Sequence, residues 1–233
     1  MDHSAAASDQ LLFGPERLPA LRRAVADLSW LLTRGYGETA ARKLVGDRHG
    51  LDRRQRRAVS CSACADGTLQ ARLGRRVPAD RLQGRPLAVD GFNVLILLET
   101  ALSGGVLLRG RDGCLRDLAG VHGAYRRGAR TAGASALLGR ELAACGAGPV
   151  SWYLDRPVSS SGRLADELRA LAREQGWAWR VELCADPDRE LMAGAAVVLG
   201  SDARVLDGCA AWSDLVAGLV RAQIPGAWVV DLG

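Results

Sequence analysis

The chain has 233 residues, 48% of them apolar, which allows one large domain or one of about 150 residues with an appendage, and excludes a disordered protein. No apolar run reaches the roughly 18–20 residues that cross a bilayer, and the start, MDHSAAASDQLLFGPERLP, lacks the layout of a signal peptide; a cytoplasmic protein with no membrane contact is expected. The formal charge of +5 is uneven, with 16 Lys and Arg against 9 Asp and Glu from Met1 to Pro86, and 15 against 17 afterwards. A basic front part points to an anionic partner, of which nucleic acid is the usual one. An arginine- and alanine-rich composition accounts for the same excess with no partner.

Residues 1–19, with small residues, Gly14 and two prolines, read as a flexible leader. Residues 20–64 read as a basic helical domain. In LPALRRAVADLSWLLTRGY, Leu21, Val25, Leu28, Leu31 and Leu32 recur at helical spacing, and Gly35 and Gly37 stop the run. Glu38 to Val45 predicts a second helix, and Arg53 to Val59 a third. Residues 65–85 mix Gly, Arg and Pro and read as a linker. From 86 to 233 short apolar runs predict buried parallel strands: Pro86–Asp90, Val150–Leu154, Arg180–Leu183, Ala195–Leu199 and Ala227–Val230. Helical stretches lie between most of them, at Cys114–Tyr125, Ala132–Cys145, Gly162–Gln175 and Ser213–Ala222. The alternation predicts an α/β fold, a three-layer α/β/α sandwich with a mostly parallel sheet. With no secretion signal, the six cysteines read as buried or incidental thiols. Cys61-Ser-Ala-Cys64 has zinc-knuckle spacing but lacks a second ligand pair.

The informative pattern lies at the carboxyl end of each strand. The first strand ends in Asp90-Gly-Phe-Asn93 and the second in Asp155, while Asp186-Pro-Asp188 comes just after the third and Gly-Ser201-Asp202 just after the fourth. Open parallel sheets bind ligands at the carboxyl ends of their strands. Carboxylates crowded there are costly unless a cation neutralises them or some stay protonated. Hard divalent ions with oxygen ligands answer that need, and a pair of them can hydrolyse phosphodiesters. Taken singly, each residue also has a structural use: Asp-Gly as a turn, Asp155 in its loop, and Asp186, Asp188 and Asp202 as helix caps.

VDGFNVLI (89–96) resembles the opening strand of PIN-like and NYN-type nucleases, and VVLGSDARVLD (197–207) resembles their later strand. DLSWLLTRGYGETAARKLVGDRHGLDRRQRRAV (27–59) resembles the small helical domain of unknown function numbered 434, which precedes a PIN-like domain in an uncharacterised prokaryotic family. Together the resemblances cover roughly residues 20–233. They imply a Rossmann-like PIN sheet and a metal-dependent ribonuclease using one or two Mg²⁺ or Mn²⁺ ions. Asp90 would then be the first metal ligand and Asn93 its brace or a phosphate contact. Asp202 would be the late ligand, with Ser201 beside it on the RNA. Asp155 matches the acid that ends the second strand. Asp188 takes the place of a mid-chain acid, although it starts a short helix where the family has a longer one.

Among the remaining features, Arg53, Arg54, Arg56 and Arg57 are the best candidates for RNA backbone contacts, since guanidinium forks match phosphate oxygens. Ser159 to Ser161 precede a helix, where free backbone N–H groups could hold a phosphate or simply start the helix, and Arg109, Arg111 and Arg116 either line a substrate path or lie in solvent. Trp177 and Trp179 read as packing residues. The rival reading is a catalytically inactive PIN-like module that binds RNA or the ribosome. A nucleotide-binding α/β protein is weaker, because neither a Walker loop nor a Gly-x-Gly-x-x-Gly run is present. The oligomeric state stays open, a homodimer included.

Overall fold

The computed structural model describes residues 3–118 and 130–233. Five helices come first: α1 (His3–Phe13), α2 (Leu18–Thr33), α3 (Glu38–Arg48), α4 (Arg53–Ser62) and α5 (Asp66–Arg75). The apolar stripe of α2 buries Leu21, Val25, Leu28 and Leu31 as its spacing predicts. Asp52 and Gln55 start α4 with a reciprocal capping box.

The α/β part comprises β1 (Leu87–Asp90), α6 (Gly91–Leu102), β2 (Val106–Arg109), β3 (Leu115–Asp117), α7 (Arg130–Ala144), β4 (Val150–Asp155), α8 (Ser161–Gln175), β5 (Trp179–Cys184), α9 (Pro187–Ala193), β6 (Val197–Leu199), α10 (Ala203–Gly208), α11 (Leu215–Gln223) and β7 (Trp228–Asp231). The main sheet is all parallel, in the order β5-β4-β1-β6. Leu87, Val89, Trp152 and Leu199 join a core with residues of α6, α7, α8 and α11. Ala88 and Val198 belong to a separate cluster that takes in Leu191 of α9 and Val205 and Leu206 of α10. Trp179 packs with tilted rings against Trp152 and Trp177 at centroid distances of 4.9 and 4.7 Å, so this aromatic group is packing.

Four expectations change. The run Ala227–Val230 is a strand but does not extend the main sheet; β7 pairs in parallel with β2, and β3 lies antiparallel on the other side of β2. The predicted helix at Cys114–Tyr125 begins as strand β3, and its part from 119 onward lies outside the described residues. The leader is largely helix: Phe13 is buried, and the Asp9 carboxylate accepts two hydrogen bonds from the Arg54 guanidinium at 2.5 and 2.8 Å. The linker at 65–85 contains α5, whose Arg72 is buried. Apolar periodicity is weak in α1, and the one residue that α5 buries is an arginine, so neither helix announces itself as a core-facing element. Asp9→Asn, which weakens the pair with Arg54, should lower folding stability by about 1–2 kcal/mol in urea titration; an unchanged midpoint would restore the loose leader.

The first helices share a core with the second sheet. Leu21, Leu28, Val45 and Val59 pack with Val106 and Leu108 of β2 and with Val230 and Leu232 at and beyond β7. No helix among the described residues is long and apolar enough to cross a membrane.

Candidate functional site

The strand order places β6 and β4 on either side of β1, so the carboxyl ends of three strands converge. Glycines let the chain close there. A Cβ on Gly91 would lie 2.9 Å from the Tyr153 carbonyl oxygen, and one on Gly200 would lie 3.0 Å from the Cβ of Asp90. Asp-Gly after β1 is thus a close-packing device: α6 starts directly from the strand, hard against β4.

A cleft of about 270 Å³ opens at this edge, and Asp90, Asn93, Asp155, Asp188 and Asp202 all line it. These are the candidate metal and catalytic residues read from the sequence. Tyr153 and Asp117 line it too. Sequence reasoning misses Asp117, since its segment reads as helix. The signal that finds it is Asp112-Gly113 between Leu107-Leu108 and Leu115, a hairpin pattern that brings the end of β3 to the site.

Asp90 stands at the amino end of α6. Burial, and then the neighbouring carboxylates of Asp188, Asp202 and Asp155, push its carboxyl up to about 7 against the opposing pull of the Asn93 backbone N–H. Burial and the Asp202 carboxylate likewise raise Asp188, opposed by the Arg204 guanidinium, which donates to Asp188 at 3.3 Å. The Asp202 carboxylate accepts from the backbone N–H groups of Arg204 and Val205 at 2.8 and 3.2 Å, so it caps α10 with one oxygen. Asp186 caps α9 through Arg189 N–H and is not a lining residue. Among the described residues the Asp155 carboxylate has no hydrogen-bond or ion-pair partner, and Arg156 bonds instead to the Leu183 carbonyl.

Asn93 fastens two elements together. Its side-chain oxygen accepts from the backbone N–H of Ser201 at 2.8 Å and from the Ser201 hydroxyl at 3.0 Å. Ser201 is buried in this bond. Behind it lies a buried ionic cluster. Asp112 accepts from Arg116 at 2.9 and 2.5 Å and from Arg72 at 2.6 Å. Arg116 also donates to the Ser201 carbonyl at 2.9 Å, and Arg72 donates to the Asp207 carboxylate at 2.7 Å and the Ala203 carbonyl at 3.2 Å. Helix α5 is thereby bound to the loop that carries Asp202. Arg116 therefore lines no substrate path. Arg111 bonds the Cys64 carbonyl and Asp66, and Arg109 reaches Asp231 at 3.4 Å.

The basic run of α4 divides. Arg54 holds Asp9, and Arg56 donates to Asp47 and to the Leu51 carbonyl, both at 2.9 Å. Arg53 is exposed and Arg57 half-buried; neither has a polar partner among the described residues. All six cysteines are free thiols.

The chemistry of the cleft is that of hard cation ligands, since its acidic donors are all carboxylates. As the side chains stand, no group of three or more His, Cys, Asp or Glu among the described residues is placed to hold a metal ion.

No solved structure matches the chain. An uncharacterised protein of Methanocaldococcus jannaschii is 29% identical over 150 residues, covering 64% of this chain and 72% of its own length. Residues 20–75 match the family described as Protein of unknown function (DUF434), which supports the small amino-terminal helical unit. Residues 79–218 match the family described as Domain of unknown function (DUF5616), a stretch that holds the cleft and more than half of the sequence. The chain belongs to that second family, Domain of unknown function (DUF5616).

Proposed function

We propose that this protein is a metal-dependent ribonuclease with a PIN-like, NYN-type three-layer fold, acting in the cytoplasm. The observation that carries the reading is the half-buried Asp90, its carboxyl pushed up to about 7 in a cleft that three other sequence-predicted acids also line. The cap that Asp202 gives α10 accounts for one of these carboxylates and not for their shared placement at one strand edge, so the arrangement points to a positive ligand. The location agrees, because β1 and β6 flank the point where strand order reverses. Asp90, Asp155, Asp188 and Asp202 would hold Mg²⁺ or Mn²⁺. Such an ion supplies a water of lowered pKa and charge neutralisation at the leaving oxygen.

The protein's own residues prepare the site. Asn93 fixes the Ser201-Asp202 loop against α6, and the buried Arg116 holds the same loop from behind. Arg53 and Arg57 leave two guanidinium groups for an RNA backbone on α4. The choice of RNA rests on the resemblance to PIN-like nucleases.

The second reading, an inactive RNA- or ribosome-binding module, is favoured by the absence of a ready ligand group among the described residues and by Arg204, which places a cation of the protein beside Asp188. Calorimetric titration with Mn²⁺ decides between them. The nuclease reading expects binding that Asp90→Asn and Asp202→Asn each abolish, and Mn²⁺-dependent cleavage of RNA with the same sensitivity. A wild type that binds no Mn²⁺, or binds it regardless of both changes, leaves the binding module.

A further inference from the structure

A groove of about 340 Å³ runs between α11 and the second sheet, and it shares no lining residue with the acidic cleft. One wall is α11, where Ala217 and Gly218 face the opening. A Cβ built on Gly218 would meet no atom within 4 Å, so a flat group has room to lie against the helix backbone there. The facing wall is apolar at Val229 of β7, which is 40% exposed.

Three guanidinium groups, those of Arg76, Arg109 and Arg221, line the same groove against one lining carboxylate, Asp214. Arg76 pairs with Asp214, and Arg109 reaches Asp231 at 3.4 Å. Each of these two contacts engages one nitrogen, and a guanidinium has five N–H donors. Arg221 is exposed and has no polar partner among the described residues. Volumes of about 300 Å³ and above are typical of small-molecule sites, and planar guanidinium groups suit phosphate oxygens.

We infer that this groove binds a small phosphate ester bearing a flat ring, of mononucleotide size. The ring lies along Gly218 and Val229, and the phosphate meets Arg221 with Arg76 or Arg109. The site is independent of the proposed metal chemistry at the other edge.

The test is calorimetry on the full chain in EDTA, so that no metal-held ligand is retained in the acidic cleft. The probes are adenosine monophosphate, adenosine and inorganic phosphate. Binding of the monophosphate is expected to exceed that of the other two, and Arg221→Glu is expected to weaken it by about tenfold or more. Gly218→Leu, which fills the groove from an open helix position, is expected to abolish it, with circular dichroism confirming the fold of both variants. The inference is overturned if the monophosphate does not bind or if both substitutions leave its affinity unchanged. Inorganic phosphate binding equally well removes the ring site, and adenosine binding equally well removes the phosphate site.

Discussion

Asp112→Ala is expected to lower folding stability by about 3–5 kcal/mol, read as a fall in the urea midpoint. Asp112 is 2% exposed and is the anion shared by Arg72 and Arg116, which are 4% and 7% exposed. Burial alone would push its carboxyl up, yet the Arg116 and Arg72 guanidinium groups hold it below the usual carboxylate range. Removing it leaves two buried cations facing each other, Arg116 with only the Ser201 carbonyl and Arg72 with the Asp207 carboxylate and the Ala203 carbonyl, the costly way to break such a cluster. Replacing all three residues with apolar side chains of similar volume removes the charges together, and it should cost much less than the single change. A loss under about 1 kcal/mol for Asp112→Ala would show that solvent reaches the cluster.

The second large effect has the opposite sign. In EDTA at pH 8, Asp90→Asn should be more stable than the wild type by something on the order of 4 kcal/mol. The Asp90 carboxyl goes from 3.8 when unfolded to about 7 when folded. The folded state therefore holds that proton more tightly, and wild-type stability relative to the variant falls as pH rises from about 4 to about 7. Above that window the loss is complete; towards pH 4 the two proteins converge. Adding Mn²⁺ at pH 8 should stabilise the wild type and leave the variant unmoved. If Asp90→Asn is the less stable protein at pH 8, the residue serves the fold as a cap for α6, and the case for a cation at the site fails.

Much of the candidate site is legible in the sequence because its elements are local. β1, β4 and β6 are short apolar runs with an Asp at or just beyond the end of each, and parallel pairing alone carries those acids to one edge. The four-residue β2 and three-residue β3 are hidden since each includes an arginine, and Asp117 is lost with them. Helix α6 reads only as the end of a strand, because an almost wholly apolar run such as Phe92 to Leu98 has no period to betray it. The role of α5 is out of reach for another reason. Its buried side chain is Arg72, whose burial depends on Asp112, 40 residues on, and Asp207, 135 residues on. Likewise RRQRR looks uniform in sequence, but Arg54 and Arg56 are occupied by Asp9 and Asp47 while Arg53 and Arg57 are not. Charge runs give the number of cations and not their engagement.

The pairing of β7 with β2 has a consequence for the order of events on the ribosome. Helices α1 to α4 leave the exit tunnel well before β7, yet part of the surface they bury belongs to Val230 and Leu232. At a synthesis rate of about 5–20 residues per second, their apolar faces stay incompletely covered for roughly 10 seconds or more. During that interval the nascent chain presents an amphipathic helical bundle with one side open, a surface that chaperones recognise, and β7, made long after those helices, is the strand that closes it.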